Sequence, residues 1–252
     1  MSSVVDARDG HDSVVVTIHQ PEHLPWLGFF DKIRQSEVFV MLDHVQYRRR
    51  YFQNRNRIRG SEGPVWVAVP VKVKGKYDQP ISEVCIDNEG SPRWREKCRH
   101  SIEHCYSKAA CYGDHASFFE EVYRRKWDRL LDLNETIIRY LLSALGIKVE
   151  IVKSSALAVS SPKGELMLEI CRAVGATTYV SGISGKNYLD AAQFAEHNIK
   201  LLFQEFHHPI YRQLYEPFTP CMSAVDLLFN HGPASLDILK GVGVKTLEHV
   251  FE

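Results

Sequence analysis

The chain has 252 residues with 31 basic and 31 acidic side chains, so its formal net charge is zero. A chain of this length can bury a substantial core, and its charge balance argues against an extended nucleic-acid surface or a highly charged disordered tail. Its six cysteines include no Cys-x-x-Cys pair, which argues against a disulfide framework and a zinc ribbon.

The N-terminal segment lacks the apolar core of a signal peptide, and no apolar run approaches the roughly 18 residues that span a bilayer. We therefore expect a cytoplasmic protein without membrane insertion. Residues 1–13 are expected to be disordered, and residues 14–252 are expected to form one α/β domain. The pattern indicates no particular oligomeric state.

The first predicted elements form a β-α-β unit. The β-branched run from Val14 to Ile18 favours a strand, Leu24 to Ile33 has helical apolar spacing, and Val38 to Leu42 favours a second strand. Polar side chains follow both strands, at the edge where ligands bind in open α/β sheets. They are His19, Gln20, His23, Asp43, His44 and Gln46. The alternative is a proline-shaped turn whose histidines satisfy local hydrogen bonds.

The pattern after residue 60 predicts further strands and helices. Segments 65–71 and 81–86 favour short strands, and residues 92–145 carry helical apolar periodicity. Strands then alternate with helices, the strands at 148–153, 177–181 and 199–206 and the helices at 163–174 and 187–197. This alternation predicts a Rossmann-like, mostly parallel α/β sheet with helices on both faces and a helical insertion at about 92–145.

The segment from Arg48 to Arg59 is a dense basic cluster of six arginines, with two asparagines and no acidic residue. An anion would offset the repulsion within it, and arginine binds phosphate bidentately, so a nucleotide or nucleotide-sugar pyrophosphate suits this chemistry. One alternative is a solvated basic loop with partners elsewhere. Another is a single-stranded nucleic acid stacked on its aromatic residues, which the neutral chain argues against.

A second candidate loop runs from Ser181 to Tyr188, between a predicted strand and a predicted helix. Gly182 and Gly185 let backbone amides turn inward, Ser184 can donate a hydrogen bond, and Lys186 supplies a charge. The spacing is not that of a Walker A motif. A plain glycine-rich turn is the alternative.

Together the two regions resemble nucleotidyltransferases related to class I aminoacyl-tRNA synthetases (the HUP type), which carry Pro-x-His-x-Gly-His after the first strand. Pro21 and His23 match that motif, whereas Pro25 replaces the glycine and Trp26 replaces the second histidine. That histidine would stabilise developing phosphate charge. The resemblance therefore implies a nucleotide site more than adenylyl transfer.

Two further segments carry residues that could take part in chemistry. The segment from His100 to His104 has the His-x-x-Glu-His pattern of some metalloproteases, but spacing indicates no third ligand, and we predict no metal site. Ser223 suits the N-cap of a C-terminal helix. Asp226 and Asn230 lie four residues apart on that helix, where they reach a ligand or serve packing.

Longer motifs recur through the chain: His19-Gln20-Pro21, Pro25-Trp26, Gly28-Phe29-Phe30, Lys32-Ile33, Leu42-Asp43, Asn54-Arg55-Asn56, Ser181-Gly182, Ser184-Gly185, Tyr188-Leu189-Asp190 and Asp226-Leu227-Leu228-Phe229-Asn230. In these motifs the chain resembles the WbqC-like proteins over most of residues 14–240. The resemblance implies an association with bacterial surface polysaccharide clusters, especially those making N-acylated amino sugars.

The residues and the resemblance together predict an O-antigen biosynthesis enzyme that transfers an acyl or aminoacyl group, such as glycyl, to the amine of a nucleotide-linked amino sugar. His19, His23 and Asp43 are the expected catalytic residues. The expected substrate-binding residues are Gln20, Gln46, Asn54, Asn56, Arg48, Arg50, Arg55, Arg57, Ser184, Gly185, Lys186, Asp226 and Asn230. The cofactor stays open between ATP with Mg²⁺ and an acyl donor. Alternatives are an ATP-dependent adenylyl or nucleotidyl transferase and a non-catalytic binding protein of a polysaccharide assembly complex.

Overall fold

A computed structural model describes residues 13–162 and 164–247. The predicted disordered segment, residues 1–13, lies outside the described residues except for Ser13. The strands are β1 (Val15–His19), β2 (Val38–Met41), β3 (Arg55–Gly60), β4 (Gly63–Ala68), β5 (Glu150–Lys153), β6 (Thr178–Ser181), β7 (Lys200–Phe203), β8 (His208–Pro209) and β9 (Thr246–Leu247). The helices are α1 (Leu27–Ile33), α2 (Trp94–Tyr106), α3 (Tyr112–Arg124), α4 (Leu130–Ala144), α5 (Leu166–Ala173), α6 (Ala191–Glu196), α7 (Ala224–His231) and α8 (Ser235–Leu239).

The main sheet has five strands in the order β5-β2-β1-β6-β7, and all four neighbouring pairs are parallel. β1 lies in the centre of the sheet, and β2 and β5 follow on one side of it. The chain then crosses to the other side of β1, where β6 and β7 lie. This crossing creates a topological switch point between β1 and β6, where open α/β sheets bind their ligands. The predicted mostly parallel, Rossmann-like α/β sheet flanked by helices is confirmed.

Both faces of the sheet are buried, because alternate residues of its strands enter two different apolar clusters. In β2, Phe39 and Met41 join a large cluster with helices α1, α2, α4 and α7. Val38 and Val40 point the other way, into a smaller cluster with α5 and α6. A sheet covered on both faces leaves its strand ends as the edges from which polar side chains can reach a ligand.

The basic cluster forms a hairpin, which corrects the prediction of a loop over its second half. β3 and β4 pair antiparallel as a separate two-stranded sheet, with Arg57 opposite Trp66. The segment predicted as a third strand, 65–71, therefore lies in this hairpin and outside the parallel sheet. Ile58 and Val67 are buried on the hairpin face that packs against the large cluster. The alternating arginines of β3 lie on the opposite face.

Helices α2, α3 and α4 occupy the chain between the hairpin and β5. Their predicted continuous pattern is interrupted before α4, since residues 125–129 leave the helical conformation at the C-cap Arg125. The strand predicted at 81–86 is instead a 3-10 turn at Ile81–Glu83 followed by isolated bridges of Cys85 and Ile86. Within residues 13–162 and 164–247, none of the helices has the length and apolar character to cross a membrane.

Candidate functional site

His19 ends β1 at the switch point of the sheet. Its Nδ1 lies 2.9 Å from the carbonyl oxygen of Gln20, and its ring meets Phe29 edge-on with centroids 5.0 Å apart. None of the described residues hydrogen-bonds its Nε2. Burial, and then the charge of Lys32, lower the pKa of His19 to about 3. The ring is therefore neutral at physiological pH, and its Nε2 remains available as a hydrogen-bond acceptor.

Glu22 and Lys32 form a buried acid-base pair next to His19, and the sequence analysis did not single them out. Glu22 is 4% exposed, and its Oε2 has no hydrogen-bond partner in the described structure. Lys32 is 3% exposed and donates from Nζ to the carbonyl oxygen of Ile18, 3.0 Å away. Burial raises the pKa of Glu22 and lowers that of Lys32, while the attraction between the two groups opposes both shifts. Such perturbed titratable groups at a ligand edge mark a candidate for proton transfer.

His23, expected to be catalytic, has both ring nitrogens engaged inside the protein. Nδ1 lies 3.0 Å from Oδ1 of Asn134, and Nε2 lies 3.0 Å from the hydroxyl of Tyr123. The amide of Asn134 donates to the carbonyl of Gln53, so its Oδ1 is free to accept from Nδ1 of His23. The side chain is completely buried, and burial lowers its pKa to about 4. Through these contacts His23 links the chain after β1 to α3 and α4, and both of its ring nitrogens have partners within the protein.

Asp43, the other expected catalytic residue, joins the ends of two neighbouring strands. It is 1% exposed and follows β2. Its Oδ1 accepts hydrogen bonds from the Ser154 hydroxyl at 3.0 Å and the Ser155 amide at 2.8 Å, and its Oδ2 accepts from the Ser155 hydroxyl at 2.7 Å. These three donors come from the turn after β5. Asp43 therefore fixes the edge of the sheet, and its oxygens already have partners.

The loop over residues 48–54 is held against the carboxyl end of β1. Gln53 donates from Nε2 to Oε1 of Gln20 at 2.6 Å and accepts from the backbone N–H of Arg48 at 2.8 Å. The backbone N–H of His23 also donates to the carbonyl of Phe52, at 3.0 Å. Gln20 thus connects the basic cluster to the switch point. Gln46, in contrast, is exposed and donates to the carbonyl of Tyr77 and to Asp78.

Two arginines of the basic cluster lie beside an exposed tryptophan. Arg59, in contrast, is buried, and its charge opposes the rise in the pKa of Asp226. The guanidinium carbons of Arg55 and Arg57 lie 4.5 and 5.8 Å from the ring centroid of Trp66, which is 48% exposed. Among the described residues, none of the six arginines from Arg48 to Arg59 forms an ion pair. An unneutralised set of guanidinium groups beside an aromatic ring suits an anionic ligand with a planar base.

The asparagines of the cluster contribute backbone contacts. Asn54 donates from Nδ2 to the carbonyl of Val69 at 2.8 Å, and its buried Oδ1 has no partner in the described structure. Asn56 accepts from the backbone N–H of Arg57 at 2.9 Å, and its buried Nδ2 is likewise unpaired there. Arg50 has a positive φ of 59° and accepts a hydrogen bond at its carbonyl from Nη2 of Arg55.

The loop after β6 forms a short 3-10 turn, Ile183–Asn187, at the same edge as His19. Ser184 and Lys186 are exposed, and Nζ of Lys186 lies 5.7 Å from the ring centroid of Phe203. Gly185 is buried, and a Cβ there would lie 2.2 Å from Oγ of Ser181. A side chain at that point would force its neighbours to shift, so Gly185 allows the close packing of the turn, while Ser184 and Lys186 remain exposed.

Asp226 and Asn230 lie away from the sheet edge. Asp226 is completely buried at the start of α7, where Tyr106, Tyr211 and Gln213 donate to its two oxygens at 2.8 to 2.9 Å. Asn230 donates back to the carbonyl of Asp226 at 2.7 Å. The Tyr106 hydroxyl also accepts a hydrogen bond from the backbone N–H of Arg59, so this network connects α7 to strand β3 of the hairpin. Ser223 caps α7 by accepting from the Val225 amide, as predicted.

The comparison with known proteins agrees with these motifs. The model of the WbqC-like protein family matches residues 20–238. The chain belongs to the WbqC-like protein family. It is also 34% identical over 227 residues to the Mycobacterium tuberculosis (strain H37Rv) protein named "Uncharacterized protein Rv1507c", a match that covers 89% of this chain and 97% of the mycobacterial protein. No solved structure matches the chain significantly.

The family name is consistent with polysaccharide biosynthesis and specifies no reaction. In this WbqC-like protein the expected residue Gln20, which follows His19, bonds to Gln53 of the loop that leads into the arginines of β3, whereas Asp226 and Asn230 have their polar contacts elsewhere. In the part of the chain described, no group of three His, Cys, Asp or Glu side chains could hold a metal ion. Glu22 and Lys32 were missed as a pair because they lie ten residues apart, Glu22 among other polar residues and Lys32 at the end of an apolar helix, and no sequence pattern shows that both are buried.

Proposed function

We propose that this WbqC-like protein is a cytoplasmic enzyme of bacterial surface polysaccharide (O-antigen) biosynthesis. It transfers an acyl or aminoacyl group, such as glycyl, to the amine of a nucleotide-linked amino sugar. The observation that carries the proposal is the unneutralised arginine cluster attached through Gln20 to the carboxyl end of β1. A nucleotide-sugar diphosphate supplies the missing negative charge, and the base suits the indole of Trp66.

The substrate would lie between the hairpin and the switch point. Arg48, Arg50, Arg55 and Arg57 would hold the phosphate oxygens, because guanidinium groups bind such oxygens bidentately. Ser184 and Lys186 would contact the ligand from the far side of the same edge. Gln20, Asn54 and Asn56 would supply polar contacts to the sugar or the base, and His19 would present its Nε2.

The proposed chemistry needs one proton acceptor and no enzyme nucleophile. The sugar amine attacks the carbonyl carbon of the donor, a C–N bond forms, and the bond from that carbon to the donor's leaving group breaks. The proton leaves the nitrogen for a general base, whose pKa works best near the operating pH. Burial raises the pKa of Glu22 toward that range, whereas it lowers the pKa of His19 to about 3. We therefore propose Glu22 as the base and His19 as an orienting group.

Adenylyl or nucleotidyl transfer is the second candidate, favoured by the loop after β6 at the switch point. It would use ATP with Mg²⁺ at the same edge. The contacts of His23 weigh against it, because the one histidine that matches the nucleotidyltransferase motif faces Asn134 and Tyr123.

A thermal-shift screen of the purified protein tests the proposal. The ligands are UDP- and dTDP-linked amino sugars, ATP and CoA thioesters, each with and without magnesium. Ligand at 100 times its dissociation constant stabilises the native state by about 2.7 kcal/mol, a readable shift for a chain of this size. We expect shifts with nucleotide-linked amino sugars. A shift with ATP alone would favour the adenylyl transferase, and no shift with any nucleotide would favour a non-catalytic binding protein.

A further inference from the structure

A cleft of about 610 Å³ lies between the open end of the β3–β4 hairpin and the N-terminus of α2. This volume is within the range of small-molecule sites. Polar and aromatic groups from both sides line it, among them Asn54 and Trp94. The cleft adjoins the loop that Gln53 attaches to the end of β1.

Four cationic side chains from three segments converge on this cleft. Arg50 comes from the loop, Arg55 from β3, and Arg93 and Lys97 from the start of α2. The lining contains no acidic side chain, and none of the four forms an ion pair with any described residue. Four like charges around one cleft repel one another, so binding of an anion there is electrostatically favoured.

The N-terminus of α2 adds to the positive electrostatic potential of the cleft. This helix of 13 residues has no side-chain N-cap, and its first N–H, that of Trp94, donates to the carbonyl of Ser91 at 3.1 Å. The next two N–H groups, of Arg95 and Glu96, have no acceptor among the described residues. Free N–H groups and the positive end of the helix dipole both favour a negative charge at this end.

Arg55 connects the cleft to the rest of the candidate site. Its guanidinium donates one hydrogen bond, from Nη2 to the carbonyl of Arg50, and lies over the face of Trp66. Because that bond uses a single N–H, donors of the planar group are left for a second acceptor. Arg50, whose carbonyl accepts this hydrogen bond, has a left-handed backbone conformation. Non-glycine residues in this strained conformation cluster at ligand sites in proteins.

We propose that this cleft is a diphosphate subsite in which Arg93 and Lys97 bind the phosphate groups together with Arg50 and Arg55. The assignment of the diphosphate to a nucleotide sugar rests on the proposed function; the anion site itself does not. Arginine supplies paired donors to one phosphate, and Lys97 supplies a compact charge to the other. The neighbouring Trp66 then lies beside the part of the ligand that leaves the cleft.

Isothermal titration of the full chain with inorganic diphosphate and with UDP tests the subsite. The test variant is Arg93→Ala/Lys97→Ala, which removes two exposed side chains. The matched control is Lys108→Ala/Lys126→Ala, which removes the same charge from two exposed side chains outside the cleft lining, neither of which forms an ion pair with a described residue. We expect the test variant to bind both probes at least about tenfold more weakly, as loss of charge-assisted hydrogen bonds does. The control should bind within about twofold of wild type, where salt-screened exposed charges contribute little. Lys97→Glu should weaken binding further. Circular dichroism and melting temperature establish that each variant is folded.

The outcomes separate this inference from the proposed function. If diphosphate binds in the cleft but no nucleotide-linked amino sugar binds, the anion subsite stands and the proposed function fails. If nucleotide sugars bind with equal affinity to wild type and Arg93→Ala/Lys97→Ala, the subsite is refuted while the proposed function stands. Absence of diphosphate and UDP binding to folded wild type refutes the subsite. Tighter binding of oligouridylate than of UDP, lost in the same variant, would replace it with a nucleic-acid site.

Discussion

The guanidinium carbon of Arg55 lies 4.5 Å from the centre of the Trp66 ring, on the open face of the β3–β4 hairpin. Trp66 is 48% exposed, so this contact leaves much of the indole uncovered. A cation–π contact at such a site contributes about 0.5 to 1 kcal/mol, too little to account for an unneutralised row of arginines. The pair is better explained as part of a binding surface that an anionic, aromatic ligand completes.

The buried pair of Glu22 and Lys32 predicts a measurable coupling. Burial lowers the pKa of Lys32, and the charge of Glu22 partly raises it again. Glu22→Gln is therefore expected to lower the pKa of Lys32 further, as followed by NMR of its ε-carbon over a pH titration. The exposed Glu62→Gln is the control and should have no effect. An unchanged pKa of Lys32 in Glu22→Gln would show that the two groups do not interact.

His23 predicts acid sensitivity of the fold. Its pKa is about 4 in the native state, against the ordinary histidine value of 6.5, because burial lowers it. Between these values the unfolded chain binds the proton and the native state does not, so stability is complete above pH 6.5 and is lost as the pH falls toward 4. The loss from this residue is about 3 kcal/mol.

His23→Gln removes the titrating group, so it should lower the free energy of unfolding at pH 8 by about 1 to 3 kcal/mol and flatten its decline between pH 7 and 4. Urea denaturation at a series of pH values measures both effects. His100→Gln, at an exposed histidine, is the control for the substitution itself and should leave the free energy of unfolding at pH 8 unchanged. Parallel curves for wild type and His23→Gln would contradict the assignment.

Asp226 is expected to contribute to stability rather than to ligand binding. Asp226→Asn converts one acceptor that faces Tyr106, Tyr211 or Gln213 into a donor, which costs about 2 to 4 kcal/mol of unfolding free energy. Asn230→Ala should cost less, because it removes one bond to a backbone carbonyl. Equilibrium denaturation measures the difference. A folded Asp226→Asn protein with native stability but no ligand affinity would restore the residue to the binding site.

Two glycines of the loop after β6 allow a matched comparison. Gly185→Ala places a Cβ 2.2 Å from Oγ of Ser181 and 2.9 Å from Cδ1 of Leu189, so the turn must shift at a cost of about 1 to 3 kcal/mol. Gly182→Ala meets nothing within 4 Å and should change stability by less than about 0.5 kcal/mol. Melting temperatures of the two variants check this. Equal losses of stability in the two variants would contradict the close packing of Gly185 against Ser181.

The parallel sheet was predictable because its signals are local. Runs such as Val14 to Ile18 combine β-branched residues with buried positions, and their order along the chain already implies crossover helices. The hairpin was not predictable, because arginine occupies every second position of β3 and Ile58 is the one large apolar residue of the strand, so an apolar alternation is lacking. Its buried face shows in the sequence mainly through Ile58, whose partners come from β4 and α2.

The candidate site could be predicted only to the level of its edge. His19 and His23 look equivalent in the sequence, yet His23 contacts Tyr123 and Asn134, which are 100 and 111 residues away. No short-range pattern reports such partners. The same holds for Asp43, because the serines that donate hydrogen bonds to its carboxylate follow β5, more than 100 residues later in the chain. The roles of these polar residues were therefore decided by tertiary contacts.

The most direct test of the proposed function is isothermal titration of a UDP-linked amino sugar into wild type and Arg55→Ala/Arg57→Ala. The matched control is Arg124→Ala/Arg139→Ala, which removes two exposed arginines from α3 and α4 that form only ion pairs four residues apart on their helices. We predict saturable binding to wild type and to the control, and binding at least about tenfold weaker in Arg55→Ala/Arg57→Ala. Equal affinity in all three folded proteins, or no saturable binding to wild type, would contradict the proposal that the arginine hairpin holds a nucleotide sugar.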